Sequence, residues 1–164
     1  MDNLLGAIFA LVSSFATPNF MVTQPAPDPI VLELREFLAE KKSPMPAEVL
    51  VKYPNWQMIV AVSAAESGYG RNMAGDFNAW GLKDFRSGSK HYRGYRDFAS
   101  WEESIAYTSE LLFKYDEEDG SPEPKAMVAK WKYLRPFGGW LGNVHYSLND
   151  IQKNVIAAAN STAS

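Results

Sequence analysis

The chain has 164 residues, 46% of them hydrophobic, which favours a single globular domain with a core of its own. It has no cysteine, which excludes disulfides, thiol catalysis and cysteine-ligated metals, and its two histidines are too few for a zinc site. The net charge of −3 argues against a general nucleic-acid-binding protein. We therefore expect no cofactor, no metal ion and no nucleic-acid partner.

The N-terminal segment has the character of a signal peptide. Residues 4–16 are apolar apart from Ser13 and Ser14, a run too short for a bilayer span of about 20 residues. Ser14-Phe15-Ala16 fits a small-x-small cleavage site, although Asp2 stands where a basic residue is usual. The sequence thus predicts a signal-like segment at 1–16, a proline-rich linker at 17–29 and a secreted or cell-envelope protein. An uncleaved membrane-associated segment and a docked helix are the alternatives.

The first predicted helices lead to a single acidic residue. A helix capped by Asp28 is predicted over 30–41, a short helical turn over 47–52 and a third helix over 56–66. The third helix carries no charge before Glu66, which shares one face with Ile59 and Val62. A carboxyl group on that face is expected to be sheltered from water, which favours the protonated form that a general acid needs. A frayed helix end with Glu66 turned to solvent is the alternative.

The remaining pattern predicts a short hairpin and then more helices. The hairpin is expected to be basic, and its positive charges would form a lip beside a cleft. A hairpin that is simply solvated is the alternative. The basic residues are Lys83, Arg86, Lys90, Arg93 and Arg96. Helices are predicted over 101–115, capped by Ser100 with Glu103; over 122–134, capped by Ser121; and over 148–158, capped by Ser147 with Asp150. A glycine-rich aromatic loop is expected over 135–144. The fold class is therefore mainly α, with about five helices and one small β-hairpin.

Several short motifs follow one another with compact spacing between about residues 56 and 156. They are Glu66-Ser67-Gly68-Tyr69-Gly70, Asn78-Ala79-Trp80-Gly81-Leu82-Lys83, Tyr92-Arg93-Gly94-Tyr95 and Glu102-Glu103-Ser104. In this order they resemble glycoside hydrolase family 73, the lysozyme-like N-acetylglucosaminidases that cut bacterial peptidoglycan.

The resemblance implies a lysozyme-like catalytic domain over residues 30–160 that acts on peptidoglycan glycan strands, and we expect it to be a monomer. Glu66 would be the catalytic acid. The substrate-binding residues would be Asn78, Trp80, Gly81, Tyr92, Tyr95, Trp140 and Tyr146. Trp140 stands where the family tends to have a tyrosine. Four aromatic residues at helical spacing are assigned to the core instead, namely Trp56, Trp101, Phe113 and Trp131.

Glycosidic cleavage usually needs a second carboxylate as nucleophile or base. Asp84 is the nearest candidate and the only acid between the second and third motifs, and Asp76 and Asp97 are further candidates that equally suit turns or caps. Two routes use no second carboxylate: attack by the N-acetyl group of the substrate, and the anhydro-ring closure of a lytic transglycosylase. The alternative functions are a non-catalytic cell-wall-binding module and an interaction protein displayed on a membrane.

Overall fold

The computed structural model describes residues 28–132 and 136–162. The predicted signal-like segment and nearly all of the predicted linker lie outside these residues. Within the two described ranges, no helix combines the length and the apolar character needed to cross a bilayer.

The fold is mainly α-helical, as the sequence predicts. The helices are α1 (Pro29–Glu40), α2 (Ala47–Leu50), α3 (Trp56–Ser67), α4 (Trp101–Phe113), α5 (Pro124–Trp131) and α6 (Gly138–Ile151), followed by a π-helical turn (Gln152–Ile156) and α7 (Ala157–Thr162). The predicted bounds of the first four helices are confirmed to within two residues at each end. The cap of α1 is also confirmed, because the Asp28 carboxylate accepts a hydrogen bond from the backbone N–H of Ile30 at 2.9 Å.

Helix α3 is the centre of the domain. Residues 58–63 are buried on every face of this helix, as expected of a helix that lies inside a protein rather than on its surface. It packs most extensively against α6. The surrounding core draws on α1, α2, α4, α5 and α6, including Leu34, Leu50, Ile105, Met127 and Val144. The residue that ends α3 is therefore fixed by packing on several sides.

The predicted β-hairpin is not confirmed. In the described part of the chain the segment 83–95 contains only two isolated bridges, Lys83 with Tyr95 and Asp84 with Tyr92. Successive tight turns use the N–H groups that a β-ladder would need. The N–H of Ser89 donates to the carbonyl of Arg86, and the N–H of Tyr92 donates to the carbonyl of Ser89. The segment is therefore a compact loop with bridged ends.

The C-terminal half differs from the prediction in two ways. Helix α5 begins at Pro124 and is capped by Glu123, which accepts from the N–H of Lys125 at 2.7 Å, so the assignment of Ser121 as the cap is wrong. The expected glycine-rich loop is largely the start of α6, and Ser147 lies in the middle of that helix instead of capping it. A helical glycine costs about 1 kcal/mol relative to alanine. Burial of one face of α6 against α3 outweighs this cost.

Removal of the α4 cap tests the local helix signals. Ser100 Oγ accepts from the N–H of Glu103 at 3.3 Å, so the Ser100→Ala variant should lower the free energy of unfolding by about 1 kcal/mol. Ser121→Ala is the matched control, because the Ser121 side chain caps no helix, and it should change the value by less than about 0.5 kcal/mol. Urea denaturation of both variants measures the difference. Equal losses would contradict the cap assignment.

Candidate active site

The exit of α3 fixes the position of Glu66. Gly68, Tyr69 and Gly70 all have left-handed backbone conformations, with φ values of 61°, 65° and 81°. Gly68 donates to Ala64 at 3.2 Å, the bond of a left-handed helix ending, and Tyr69 donates one residue further back, to Ser63, at 3.1 Å. Three consecutive left-handed residues turn the chain sharply. The residues after the turn therefore return across the end of α3.

Ser67 connects the helix end to the returning chain. Its hydroxyl donates to the carbonyl of Ala79 at 2.6 Å and accepts from the N–H of Gly70 at 2.8 Å. These two bonds hold residues 79–81 beside the Glu66 side chain.

The Glu66 carboxylate is held by two tryptophans. The indole N–H groups of Trp140 and Trp131 donate to the same oxygen, Oε1, at 2.7 and 3.1 Å. The ammonium group of Lys132 lies 3.6 Å from the other oxygen, Oε2. The Glu66 side chain is only 14% exposed, so the predicted shelter from water is confirmed and the frayed-end alternative is wrong.

The two carboxylate oxygens have different surroundings. Oε1 accepts two hydrogen bonds, whereas Oε2 lies 3.6 Å from the ammonium group of Lys132. A Cβ atom built on Gly81 would lie 3.6 Å from Oε2 and 3.8 Å from the Tyr95 ring. Gly81 thus leaves open the space in front of Oε2, and its φ of 64° is one that favours glycine. Oε2 is the atom through which Glu66 can exchange a proton with a bound molecule.

A cavity of about 700 Å³ opens in front of Glu66, within the size range typical of ligand sites. Tyr95, Tyr115 and Phe85 supply aromatic walls, and Phe85 is 72% exposed. The other lining residues are Ser67, Asn72, Ala74, Asn78, Trp80, Gly81, Leu82, Lys83, Leu111, Lys130, Trp131 and Lys132. The structure therefore brings together Glu66, Asn78, Trp80, Gly81 and Tyr95 among the predicted site residues.

Asn78 and Trp80 border this cavity, but their polar groups serve the fold. The Asn78 amide donates to the carbonyls of Leu82 at 2.9 Å and Arg96 at 2.8 Å, so both of its donors are used. The Trp80 side chain is 1% exposed, and its indole N–H donates to the carbonyl of Ile59 at 2.9 Å. The assignment of Trp80 as a sugar-stacking residue is wrong, because its ring belongs to the core.

Three predicted aromatic contacts also need correction. Trp140 is buried and holds Glu66, so it has no ring face available for a sugar. Tyr92 and Tyr146 are exposed, but neither lines the cavity. Tyr92 instead lies near the guanidinium group of Arg93, 5.3 Å from its ring centroid.

Asp84 is a structural residue rather than a second catalytic carboxylate. Its side chain is buried and receives Arg86 Nε at 2.9 Å, Arg86 Nη2 at 2.7 Å and the Ser89 hydroxyl. The Arg86 guanidinium group holds the pKa of Asp84 well below its ordinary range. Asp84 does not line the cavity, so the catalytic assignment made from sequence is not supported.

The other two acids near the site are also placed elsewhere. Asp97 accepts from the N–H of Asp76 at 2.9 Å and pairs with His91 at 2.9 Å. Asp76 lines a separate, smaller cavity next to Phe77 and Trp101. Neither carboxylate belongs to the residues that line the Glu66 cavity.

Sequence reasoning missed the residues from the end of α5. The sequence pattern predicts that Trp131 belongs to the core, yet its indole N–H donates to Glu66 from 65 residues away, and Lys132 follows it. No local pattern marks a tryptophan as the partner of so distant a carboxylate. One signal could have indicated this contact: near the glycine-rich segment the sequence has more tryptophans than the apolar face of a single helix needs.

The predicted basic lip is only partly present. Arg86 pairs with Asp84, and Arg96 pairs with Glu103 at 3.2 Å, so neither is free to act at the cleft. Lys83 does line the cavity, with Nζ 3.3 Å from the centroid of the Tyr95 ring. The positive charge of the cleft instead comes from Lys83, Lys130 and Lys132.

The chain matches no known protein-family model, no curated protein and no solved structure. Across the described ranges, no group of three or more histidine, aspartate or glutamate side chains is arranged to hold a metal ion. The chemistry of the site therefore has to be inferred from Glu66 and its surroundings.

Substitution of Asp84 by asparagine tests its structural role. Because folding lowers the pKa of Asp84, its charge stabilises the fold above its ordinary pKa of 3.8, and this stabilisation is lost as the pH falls through the lowered value. At pH 7 the Asp84→Asn variant should therefore unfold at a lower urea concentration than the wild type. The difference between the two urea midpoints should become smaller towards about pH 3.

Asp76→Asn is the matched control for this experiment, since Asp76 is exposed and its carboxylate makes no hydrogen bond with the residues described. It should leave the urea midpoint nearly unchanged at both pH values. A difference in urea midpoint between Asp84→Asn and the wild type that becomes larger in acid would contradict the structural role of Asp84.

Proposed function

We propose that this protein is a peptidoglycan glycosidase that cleaves β-1,4 bonds between amino sugars of the cell-wall glycan, with Glu66 as the general acid. The proposal combines the motif resemblance to glycoside hydrolase family 73 with the geometry around Glu66. It also places the protein in the cell envelope or outside the cell, where its substrate lies.

The observation that carries the proposal is the asymmetry of the Glu66 carboxyl group. Oε1 is held by two indole donors, whereas Oε2 faces a cavity large enough for a saccharide. A general acid needs this arrangement, because the group must be rigidly aimed and must carry its proton on the side of the substrate. A glutamate with a purely structural role would have no need of an open space before its second oxygen.

The cleavage step needs few protein groups. Glu66 transfers the proton on Oε2 to the glycosidic oxygen, the C–O bond to the anomeric carbon breaks, and the leaving sugar departs with a new hydroxyl group. The resulting carboxylate then accepts a proton from the nucleophile that attacks the anomeric carbon. Among the described residues that line the cavity, Glu66 is the only carboxylate, so the proposal gives it both proton transfers.

The charge and shape of the cleft fit an acidic glycan. Lys83, Lys130 and Lys132 face a single carboxylate among the described lining residues, so the cavity carries an excess of positive charge. The lactyl and peptide carboxylates of peptidoglycan would be attracted to such a cleft. The exposed ring of Phe85 offers apolar surface to the C–H face of a pyranose ring, and the Tyr95 ring, which has Lys83 over one face, is also exposed.

The decisive test is the Glu66→Gln variant assayed on purified cell walls. Glutamine keeps the size of the side chain and an oxygen for the two indoles but carries no transferable proton. We expect kcat to fall by a factor of about 10² to 10⁴, the usual contribution of general acid catalysis. The release of soluble products, followed by mass spectrometry, measures the activity. The masses of the wild-type products distinguish hydrolysis from anhydro-sugar formation.

Glu36→Gln is the matched control for this test, because Glu36 is an exposed glutamate on α1 outside the cavity. It should leave the rate unchanged. Undiminished wall lysis by folded Glu66→Gln would refute the mechanism. Binding to walls without any release of sugars by the wild type would favour the alternative of a non-catalytic wall-binding module.

The aromatic wall gives a second test. Tyr95→Ala removes a ring that lines the cavity and should raise KM several-fold while changing kcat less, because stacking contributes to substrate binding. Tyr92→Ala is the matched control: Tyr92 is also exposed on the 83–95 loop but lies outside the cavity. Initial rates on soluble wall fragments measure both parameters. An equal effect of the two substitutions would argue against a sugar contact at Tyr95.

A further inference from the structure

Tyr69 has an unusual backbone for a tyrosine. Its φ of 65° lies in the left-handed region, where a side chain other than glycine carries strain, and it is flanked by two glycines in the same region. Such strain persists only where the surrounding contacts determine the conformation. Glycine at this position would relieve the strain, so the side chain of Tyr69 is the part of the residue to explain.

The side chain of Tyr69 is inserted between two helices. Its ring packs edge-on against Phe37 of α1, with ring centroids 5.9 Å apart. Its hydroxyl donates to the hydroxyl of Ser147 on α6 at 3.2 Å. Burial raises the pKa of the Tyr69 phenol, so the group keeps its proton and remains a donor.

Ser147 lies on the same face of α6 as Trp140. The buried residues of this helix are Trp140, Val144, Ser147 and Ile151, a single stripe in which Trp140 and Ser147 are about two turns apart. A second link fixes this end of α6, because Lys41 pairs with Asp150 at 2.8 Å. A displacement of α6 along its axis at Ser147 is therefore transmitted to Trp140.

The chain segment that connects Glu66 to Tyr69 is short. Glu66 and Tyr69 are separated by Ser67 and Gly68 alone, so both side chains project from the exit of α3 towards α6. Trp140 donates to Glu66 at 2.7 Å and Tyr69 donates to Ser147 at 3.2 Å. The two hydrogen bonds link the exit of α3 to α6 at two points about two turns apart, in addition to the packing between the two helices.

We propose that Tyr69 is a positioning residue, whose hydrogen bond to Ser147 sets the register of α6 so that the Trp140 indole reaches Glu66 Oε1. Its effect on catalysis rests on the proposed function, in which Glu66 is the general acid. Its effect on the Trp140 hydrogen bond does not, because that bond is present in the free protein.

The test uses the full chain and the tryptophan indole N–H resonances in ¹H–¹⁵N spectra. The Trp140→Phe spectrum identifies the Trp140 resonance by its loss. Tyr69→Phe and Ser147→Ala each remove one hydroxyl, and each should move the Trp140 indole proton upfield, as expected for a longer hydrogen bond. The Trp56 and Trp80 resonances should stay in place. The double variant should move the Trp140 resonance no further than the larger single effect, because both variants break the same bond.

Two matched controls remove comparable groups elsewhere. Tyr53→Phe removes a tyrosine hydroxyl that has no hydrogen-bond partner among the described residues, and Ser104→Ala removes a buried helical serine hydroxyl that donates only to Trp101 of its own helix. Neither should move the Trp140 resonance. Tyr69→Phe and Ser147→Ala should each lower kcat on cell walls by about three- to tenfold with KM unchanged, in keeping with the loss of one hydrogen bond.

The outcomes separate this inference from the proposed function. An unmoved Trp140 resonance in the two single variants, or additive shifts in the double variant, would overturn the positioning role whatever the activity. If the wild type releases no sugars, the glycosidase proposal fails, and the indole shifts still decide the role of Tyr69. If one single variant does not fold, the other carries the same test, since each removes one side of the same hydrogen bond.

Discussion

The double hydrogen bond to Glu66 Oε1 is the interaction on which the rest of the site depends. A mostly buried carboxylate is stable in a protein only when polar partners replace its lost water. Here the partners are the indole N–H groups of Trp131 and Trp140, at the end of α5 and near the start of α6. One oxygen atom thus joins three helices. Indole groups donate hydrogen bonds and never accept them, so both tryptophans act on Glu66 as donors alone.

This arrangement constrains the backbone around it. Helix α3 ends one residue after Glu66, and three left-handed residues then turn the chain away at once. The returning chain must also leave room in front of Oε2, and Gly81 does so by lacking a side chain. Gly68 and Gly70 take the left-handed conformations of this turn without strain, whereas Tyr69 between them takes one with strain.

The sequence predicted the helices best where the signal was local. The caps at Asp28 and Ser100 and the apolar pattern of α3 depend on residues within a few positions of one another, and their helices begin within one residue of the predicted start. The glycines of α6 were misread as a loop. Their helical conformation depends on the burial of Trp140 and Val144 against α3, an energy that comes from residues distant in sequence. Propensity alone favours a loop there, and packing overrides it.

The sequence by itself determined that the chain is mainly helical and that one acidic residue ends its most apolar helix, because both follow from the spacing of neighbouring residues. The partners of that residue were decided by the tertiary structure. It brought two tryptophans from 65 and 74 residues away to Glu66 and turned the Trp80 ring into the core. The physical reason is that a hydrogen bond between residues far apart in sequence depends on how the helices pack. The spacing of neighbouring residues does not specify that packing.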